Sequence, residues 1–166
     1  MLLRVSAKFH QQYSCDIKRG EAPVRPFPQT WNFDLLAHGR GQLLILASEE
    51  YSLFSVLIPA NRSRDLECFL TPFRERLIEL FGYVRLWNHP DLSEVTFSGR
   101  SNRRIIGSQN DLIFLSRSFL EGSEKPASTG TVRKVEEALN STPMSYLQMG
   151  APMDAMWREL ERLQKA

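Results

Sequence analysis

The chain has 166 residues, of which 21 are Lys or Arg and 19 are Asp or Glu, so its formal net charge is +2. This length predicts one domain that can bury a core without disulfides or metals. A hydrophobic content of 42% and a charged content of 24% are globular values and exclude a disordered chain. The small net charge argues against a polybasic nucleic-acid binder, and no apolar run is long enough to span a membrane.

The cysteines and histidines are scattered along the chain. Cys15 and Cys68 form no CxxC motif, and the opening residues lack the apolar run of a signal peptide. Isolated thiols suit a reducing compartment, so we expect a cytoplasmic protein with no membrane association. His10, His38 and His89 have no second ligand at a suitable spacing. We therefore expect no metal site and no cofactor.

The first part of the chain predicts strands. Leu2, Leu3 and Val5 predict a short first strand, and apolar residues occupy every second position from Trp31 to Ala37. The apolar runs 43–47 and 51–58 follow after turn-length breaks, which is typical of an antiparallel meander. The run 43–47 is apolar on both faces and so predicts a strand covered on both sides. The break before the last run, residues 48–50, is expected to be a solvated polar turn.

Helical spacing of apolar residues is clearest between Leu66 and Phe81. A proline inside a helix costs about 3 kcal/mol, so we expect Thr71 to cap a main helix that starts at Pro72. Residues 83–87 and 94–97 predict two further short strands.

The remainder of the chain predicts three helices, at residues 108–121, 131–140 and 153–165, with a flexible linker at residues 122–130. The last helix is amphipathic. Together these elements predict one α+β domain over residues 1–166, in which a small antiparallel β-meander sheet packs against three to four helices.

The segment SNRRIIGSQNDL has the densest local pattern. Ser108 and Asp111 have the spacing of a capping box, which predicts that Ser108 caps a helix beginning there. A helix start also offers free N–H donors to an anion. Arg103 and Arg104 lie just upstream, and Asn110 lies in the first turn. Two interpretations stay open, a structural cap and an anion-binding site that would use Arg103, Arg104, Ser108 and Asn110.

Three segments resemble motifs of a bacterial domain family of unknown function. The segment NRRIIGSQNDLIF is similar to the family's Asn-Arg-…-Gly-Ser-Met-Asn-Asp signature, with Gln109 in place of Met. The segments YSLFSVLIP and LNSTPMSYL are similar to two further family motifs, with Ser141 replacing Glu. Asn32 stands where the family tends to have His, which argues against a histidine-based site there. The resemblance covers about residues 1–155, and it implies a shared α+β fold but no particular activity.

The sequence shows no catalytic constellation, so we expect a non-catalytic binding or regulatory domain that acts through a protein partner. Met and aromatic residues are enriched in interfaces, and the last helix carries such a stripe. The residues expected to bind the partner are Met153, Met156, Trp157 and Leu160. The same stripe could instead pack on the domain's own sheet. One alternative function is binding of a phosphate-bearing ligand or nucleic acid at the Arg103/Arg104/Ser108 helix start. Another is an enzyme whose site is assembled from distant segments.

Overall fold

The computed structural model describes residues 1–18, 25–38, 42–60, 65–82, 95–100, 102–121 and 128–165. The strands are β1 (Leu2–Val5), β2 (Ile17–Lys18), β3 (Thr30–His38), β4 (Gln42–Glu49), β5 (Ser55–Ala60) and β6 (Thr96–Gly99). The helices are α1 (Ala7–Tyr13), α2 (Glu67–Phe81), α3 (Arg103–Glu121), α4 (Thr129–Ser141) and α5 (Pro152–Lys165), with a short 3₁₀ turn at Ser145–Leu147. The strand predicted at residues 83–87, the residue His89 and most of the predicted linker 122–130 lie outside the described residues.

Within the described ranges, six strands form one sheet in the order β2-β6-β1-β3-β4-β5. The meander is present, because β4 pairs antiparallel with both β3 and β5. However, β1 runs parallel to β3 and to β6, and β2 runs parallel to β6. The expectation of a purely antiparallel meander sheet is therefore wrong, since the meander is one half of a mixed α/β sheet. Parallel neighbours must be joined by long crossover connections, so no local turn signal in the sequence marks their pairing.

Helices cover both faces of the sheet and enclose two cores. On one face α1, α2 and α5 pack over an aromatic core that includes Phe9, Trp31, Phe33, Phe69 and Phe73. On the other face α3 and α4 pack over a mainly aliphatic core that includes Leu36, Leu46, Leu112, Val135 and Leu139. Alternate residues of β4 enter opposite cores, which explains why its sequence is apolar on both faces.

The helix α2 is continuous from Glu67 to Phe81, with Pro72 inside it. The predicted cap at Thr71 is therefore wrong. Pro72 lies in the second turn of the helix, where it removes the hydrogen bond that a backbone N–H would make to the carbonyl of Cys68 and brings its ring close to that carbonyl. The buried side chains of Phe69 and Phe73, on either side of this point, belong to the same core and hold the two parts of the helix in line.

Candidate functional site

The helix α3 begins at Arg103, one turn earlier than the sequence predicts. The side-chain Oδ1 of Asn102 accepts a hydrogen bond from the backbone N–H of Arg104 at 3.1 Å and a longer one from that of Ile105. Asn is as good a cap as Ser, and here it adds one turn to the helix. The predicted capping box is therefore wrong, and Ser108 is a buried residue within the helix.

Because α3 starts earlier than predicted, the four residues predicted to bind an anion do not lie together in its first turn. Arg103 and Arg104 lie in the exposed first turn of α3, whereas Ser108 is 6% exposed. These three residues line one cleft. Asn110 is exposed and is absent from the cleft lining, so the structure does not bring it together with the other three.

The cleft lies between α3 and the turn at Ser145–Leu147, and its volume is about 470 Å³. One wall is formed by residues of α3 that recur at helical spacing, Arg103, Arg104, Gly107, Ser108 and Asp111. The facing wall is formed by Ser145, Tyr146 and Gln148. Two of the segments that resemble family motifs therefore meet at one cleft. Reasoning from the sequence missed the second wall, for which that resemblance was the only signal.

A hydrogen-bonded loop shapes this second wall. The backbone N–H groups of Met144 and Met149 donate to the carbonyls of Gly150 and Met144, and the side chain of Met144 is buried in the aliphatic core. Gln148 and Met149 have φ values of 53° and 68°, a left-handed conformation that costs a non-glycine residue about 1–3 kcal/mol. Gln148 is the residue that ends the 3₁₀ turn, and its backbone N–H donates to the carbonyl of Ser145.

The cleft is lined both by charged side chains and by side chains that carry hydroxyl groups. Within the described part of the chain, the side chains of Arg103, Arg104 and Asp111 make no ion pair and no hydrogen bond. Burial raises the pKa of Tyr146, and the nearby carboxylates of Glu50 and Glu49 raise it further. The phenol therefore stays protonated at neutral pH and can donate a hydrogen bond.

The two acidic residues beside Tyr146 are buried rather than solvated. Glu50 is 4% exposed, and its Oε2 accepts from Asn32 Nδ2 at 2.8 Å and lies 3.3 Å from Arg4 Nε. Glu49 is 1% exposed, and burial raises its pKa to about 7. The solvated turn expected at residues 48–50 is therefore wrong, because the chain folds back over these side chains to start β5.

A second polar network attaches the start of α3 to the sheet. Gln109 donates through Nε2 to the backbone carbonyl of Asn32 at 2.7 Å and accepts a hydrogen bond from Arg100. Arg100 also pairs with Asp34, with 2.6 Å between Nη2 and Oδ2. The Ser6 hydroxyl donates to the other oxygen of Asp34. These contacts fix the rotation of α3 about its axis, and so they fix which of its residues face the cleft.

The residues predicted to bind a protein partner are mostly used within the chain. Met156 and Leu160 are buried in the aromatic core, and Met153 is half-buried against it. Trp157 is 41% exposed. The stripe on α5 therefore packs largely on its own sheet, and Trp157 is the member that stays accessible.

Among the described residues, the His, Cys, Asp and Glu side chains form no group of three or more that could hold a metal ion. Among the helices of these residues, none combines the length and apolar character that crossing a membrane requires.

Comparison with known proteins agrees with the resemblance seen in the sequence. No curated protein matches the chain. A family model described as a domain of unknown function, DUF6933, matches residues 2–155, a range that includes both walls of the cleft. The chain belongs to the DUF6933 family.

Proposed function

We propose that the chain is a binding domain that takes a phosphate-bearing ligand in the cleft between α3 and the Ser145–Leu147 turn. One observation carries the proposal. Two segments distant in the sequence, both similar to family motifs, form the walls of one cleft, and its lining includes two arginines that make no ion pair with any residue the structure describes. We also propose that the domain works in the cytoplasm, which its two scattered thiols support.

The arginine side chains would supply the main contacts to the phosphate. A guanidinium group can donate two parallel hydrogen bonds to phosphate oxygens, and these charge-assisted bonds are the strongest available at such a site. The backbone N–H groups of Arg104 and Ile105 are already used by Asn102. The helix start therefore contributes its partial positive charge, and the side chains do the binding.

The size of the cleft favours a small ligand over a nucleic-acid strand. A volume of about 470 Å³ falls within the usual range for small-molecule sites. Two phosphate contacts would give a nucleic acid only weak and strongly salt-dependent binding.

Isothermal titration calorimetry with pyrophosphate at low salt tests this proposal. We expect Arg104→Gln to weaken binding about tenfold or more, because it removes one bidentate contact. Arg117→Gln is the matched control, since Arg117 is an exposed arginine of the same helix that does not line the cleft. Undetectable binding to the unaltered protein, or equal loss in both variants, would contradict the proposal.

The exposed ring of Trp157 supports a second candidate, a protein partner that docks on α5. Exposed tryptophans are often the residues that contribute most to binding at an interface. In pull-downs from the native host, we expect one protein to bind the unaltered chain and a Gln164→Glu control but not Trp157→Glu. Identical sets of bound proteins would contradict this candidate. So would a large fall in the melting temperature of Trp157→Glu, because it would show a role in the core instead.

A further inference from the structure

The cleft carries opposite charges at its two ends. Arg103 and Arg104 lie at the start of α3, and Asp111 lines the same cleft about 10 Å further along the helix axis. Asp111 is exposed, and among the described residues its carboxylate has neither a hydrogen bond nor an ion pair. The far end of the cleft therefore holds an accessible acceptor with nothing donating to it.

A phosphate group alone does not fit this layout. An ionised carboxylate only accepts hydrogen bonds, and it repels a nearby phosphate. It binds a ligand group well only where that group offers donors. Vicinal hydroxyls meet this need, because each can donate one charge-assisted hydrogen bond to a different oxygen of the same carboxylate. An acidic side chain that binds ribose hydroxyls beside a phosphate site is a known arrangement in nucleotide-binding folds.

We infer that the ligand is a phosphorylated sugar or a nucleotide, with its phosphate at Arg103 and Arg104 and its vicinal hydroxyls at Asp111. This inference rests on the proposed function and adds the chemistry of the second half of the ligand. The hydroxyl of Ser108 lies between the two ends of the α3 wall, and Tyr146 and Gln148 provide polar groups on the facing wall. The cleft is thus polar along the length that the sugar would occupy.

Two matched ligands test the inference by calorimetry, ADP and 2′,3′-dideoxy-ADP, which differ only in the sugar hydroxyls. We expect the unaltered protein to bind ADP about tenfold more tightly than the dideoxy compound. In Asp111→Asn this ratio should fall close to one. Glu121→Gln is the control, since it makes the same carboxylate-to-amide change on an exposed residue of α3 away from the cleft, and there the ratio should persist.

Other outcomes distinguish a failure of this inference from a failure of the proposed phosphate site. Equal affinities for ADP and dideoxy-ADP in the unaltered protein would overturn the inference while leaving the phosphate site intact. So would tighter binding of pyrophosphate and ADP to the same degree in Asp111→Asn, because Asp111 would then act only as a repelling charge. Absence of binding by pyrophosphate would instead remove the proposed function. Ribose 5-phosphate distinguishes the ligand sources, because affinity equal to that of ADP indicates a sugar phosphate and weaker binding indicates a nucleotide.

Discussion

Glu49 is a buried acid at the end of β4 whose neighbours are mostly neutral donors. Its Oε2 accepts hydrogen bonds from the backbone N–H groups of Tyr51 and Ser52 and from the Ser52 hydroxyl, at 2.8–2.9 Å. These bonds favour the charged form, but burial outweighs them and raises the pKa of Glu49 to about 7. The side chain of the adjacent Glu50 faces the guanidinium of Arg4.

The raised pKa of Glu49 predicts a loss of stability as the pH rises. Between pH 4.5, the ordinary pKa of a glutamate, and about pH 7, the folded chain holds a proton on Glu49 that the unfolded chain releases. The free energy of unfolding should therefore fall as the pH rises through this window and level off above it. Glu49→Gln keeps an acceptor for the same donors and should reduce this slope.

Urea unfolding at several pH values between 4.5 and 8 measures the effect. Some slope should remain in Glu49→Gln, because burial also raises the pKa of Glu136. Glu137→Gln is the control, as an exposed glutamate whose loss should leave the slope of the unaltered protein unchanged. If Glu49→Gln keeps the full slope, Glu49 is not the group that titrates.

Among the contacts between elements, side chains of α4 form hydrogen bonds with the outward backbone groups of β5, the strand at one edge of the sheet. The outward backbone groups of Ser55 in β5 bond to Asn140, whose Oδ1 accepts from the N–H and whose Nδ2 donates to the carbonyl, both at 2.8 Å. The next outward N–H, at Leu57, donates to Glu136 at 2.7 Å. The outward residue after that is Pro59, which has no N–H. The edge of β5 therefore offers few groups to a further strand.

This arrangement gives two of the family-like motifs a structural explanation. Ser55 and Pro59 belong to the segment YSLFSVLIP, and Asn140 belongs to LNSTPMSYL. Their contacts protect the edge of the sheet, while the later residues of LNSTPMSYL form the wall of the cleft. One segment thus has a part that covers the edge of the sheet and a part that lines the cleft.

Removing the amide of Asn140 should open this edge. We expect Asn140→Ala to lower the free energy of unfolding by about 1–3 kcal/mol, because it leaves buried backbone groups of Ser55 without partners. We also expect self-association through β5. Chemical denaturation and light scattering measure the two effects, with exposed Glu137→Ala as the control. A monomer as stable as this control would rule out the protective role.

In the fold as a whole, the sequence predicted the strands and helices that the spacing of apolar residues marks. The antiparallel strands β3, β4 and β5 are adjacent in the chain, and their apolar runs indicated the existence of all three and the burial of β4. The predicted extent of the last run, residues 51–58, is wrong at its start, because residues 51–52 form a turn and β5 is Ser55–Ala60. The helices α4 and α5 match the predicted segments to within two residues at each end. Each of these elements is determined by the spacing of apolar residues at neighbouring positions, so the local sequence was sufficient to predict it.

The parallel strand pairing and the cleft depend on residues that are distant in the sequence. The start of α3 depends on two residues that could each cap the helix. The parallel partners of β1 follow from crossovers that no turn residue marks. Two caps compete at the start of α3, and Asn102 takes the place predicted for Ser108 because residues 103–107 are also able to form a helix. The cleft needs Arg104 and Tyr146 to be brought together, and no periodic pattern relates these two positions.

The central place of β1 has a consequence for the order in which the chain folds. Leu2 lies opposite Thr30 on one side and opposite Thr96 on the other. During synthesis β1 leaves the ribosome before both of its partners, and its second partner emerges only after the whole meander and α2. The meander can form early from local contacts, whereas β1 must wait with one edge open until a long loop closes. A pause in translation before residue 96 would prolong the lifetime of that open edge, when the nascent chain is most exposed to chaperones and to wrong partners.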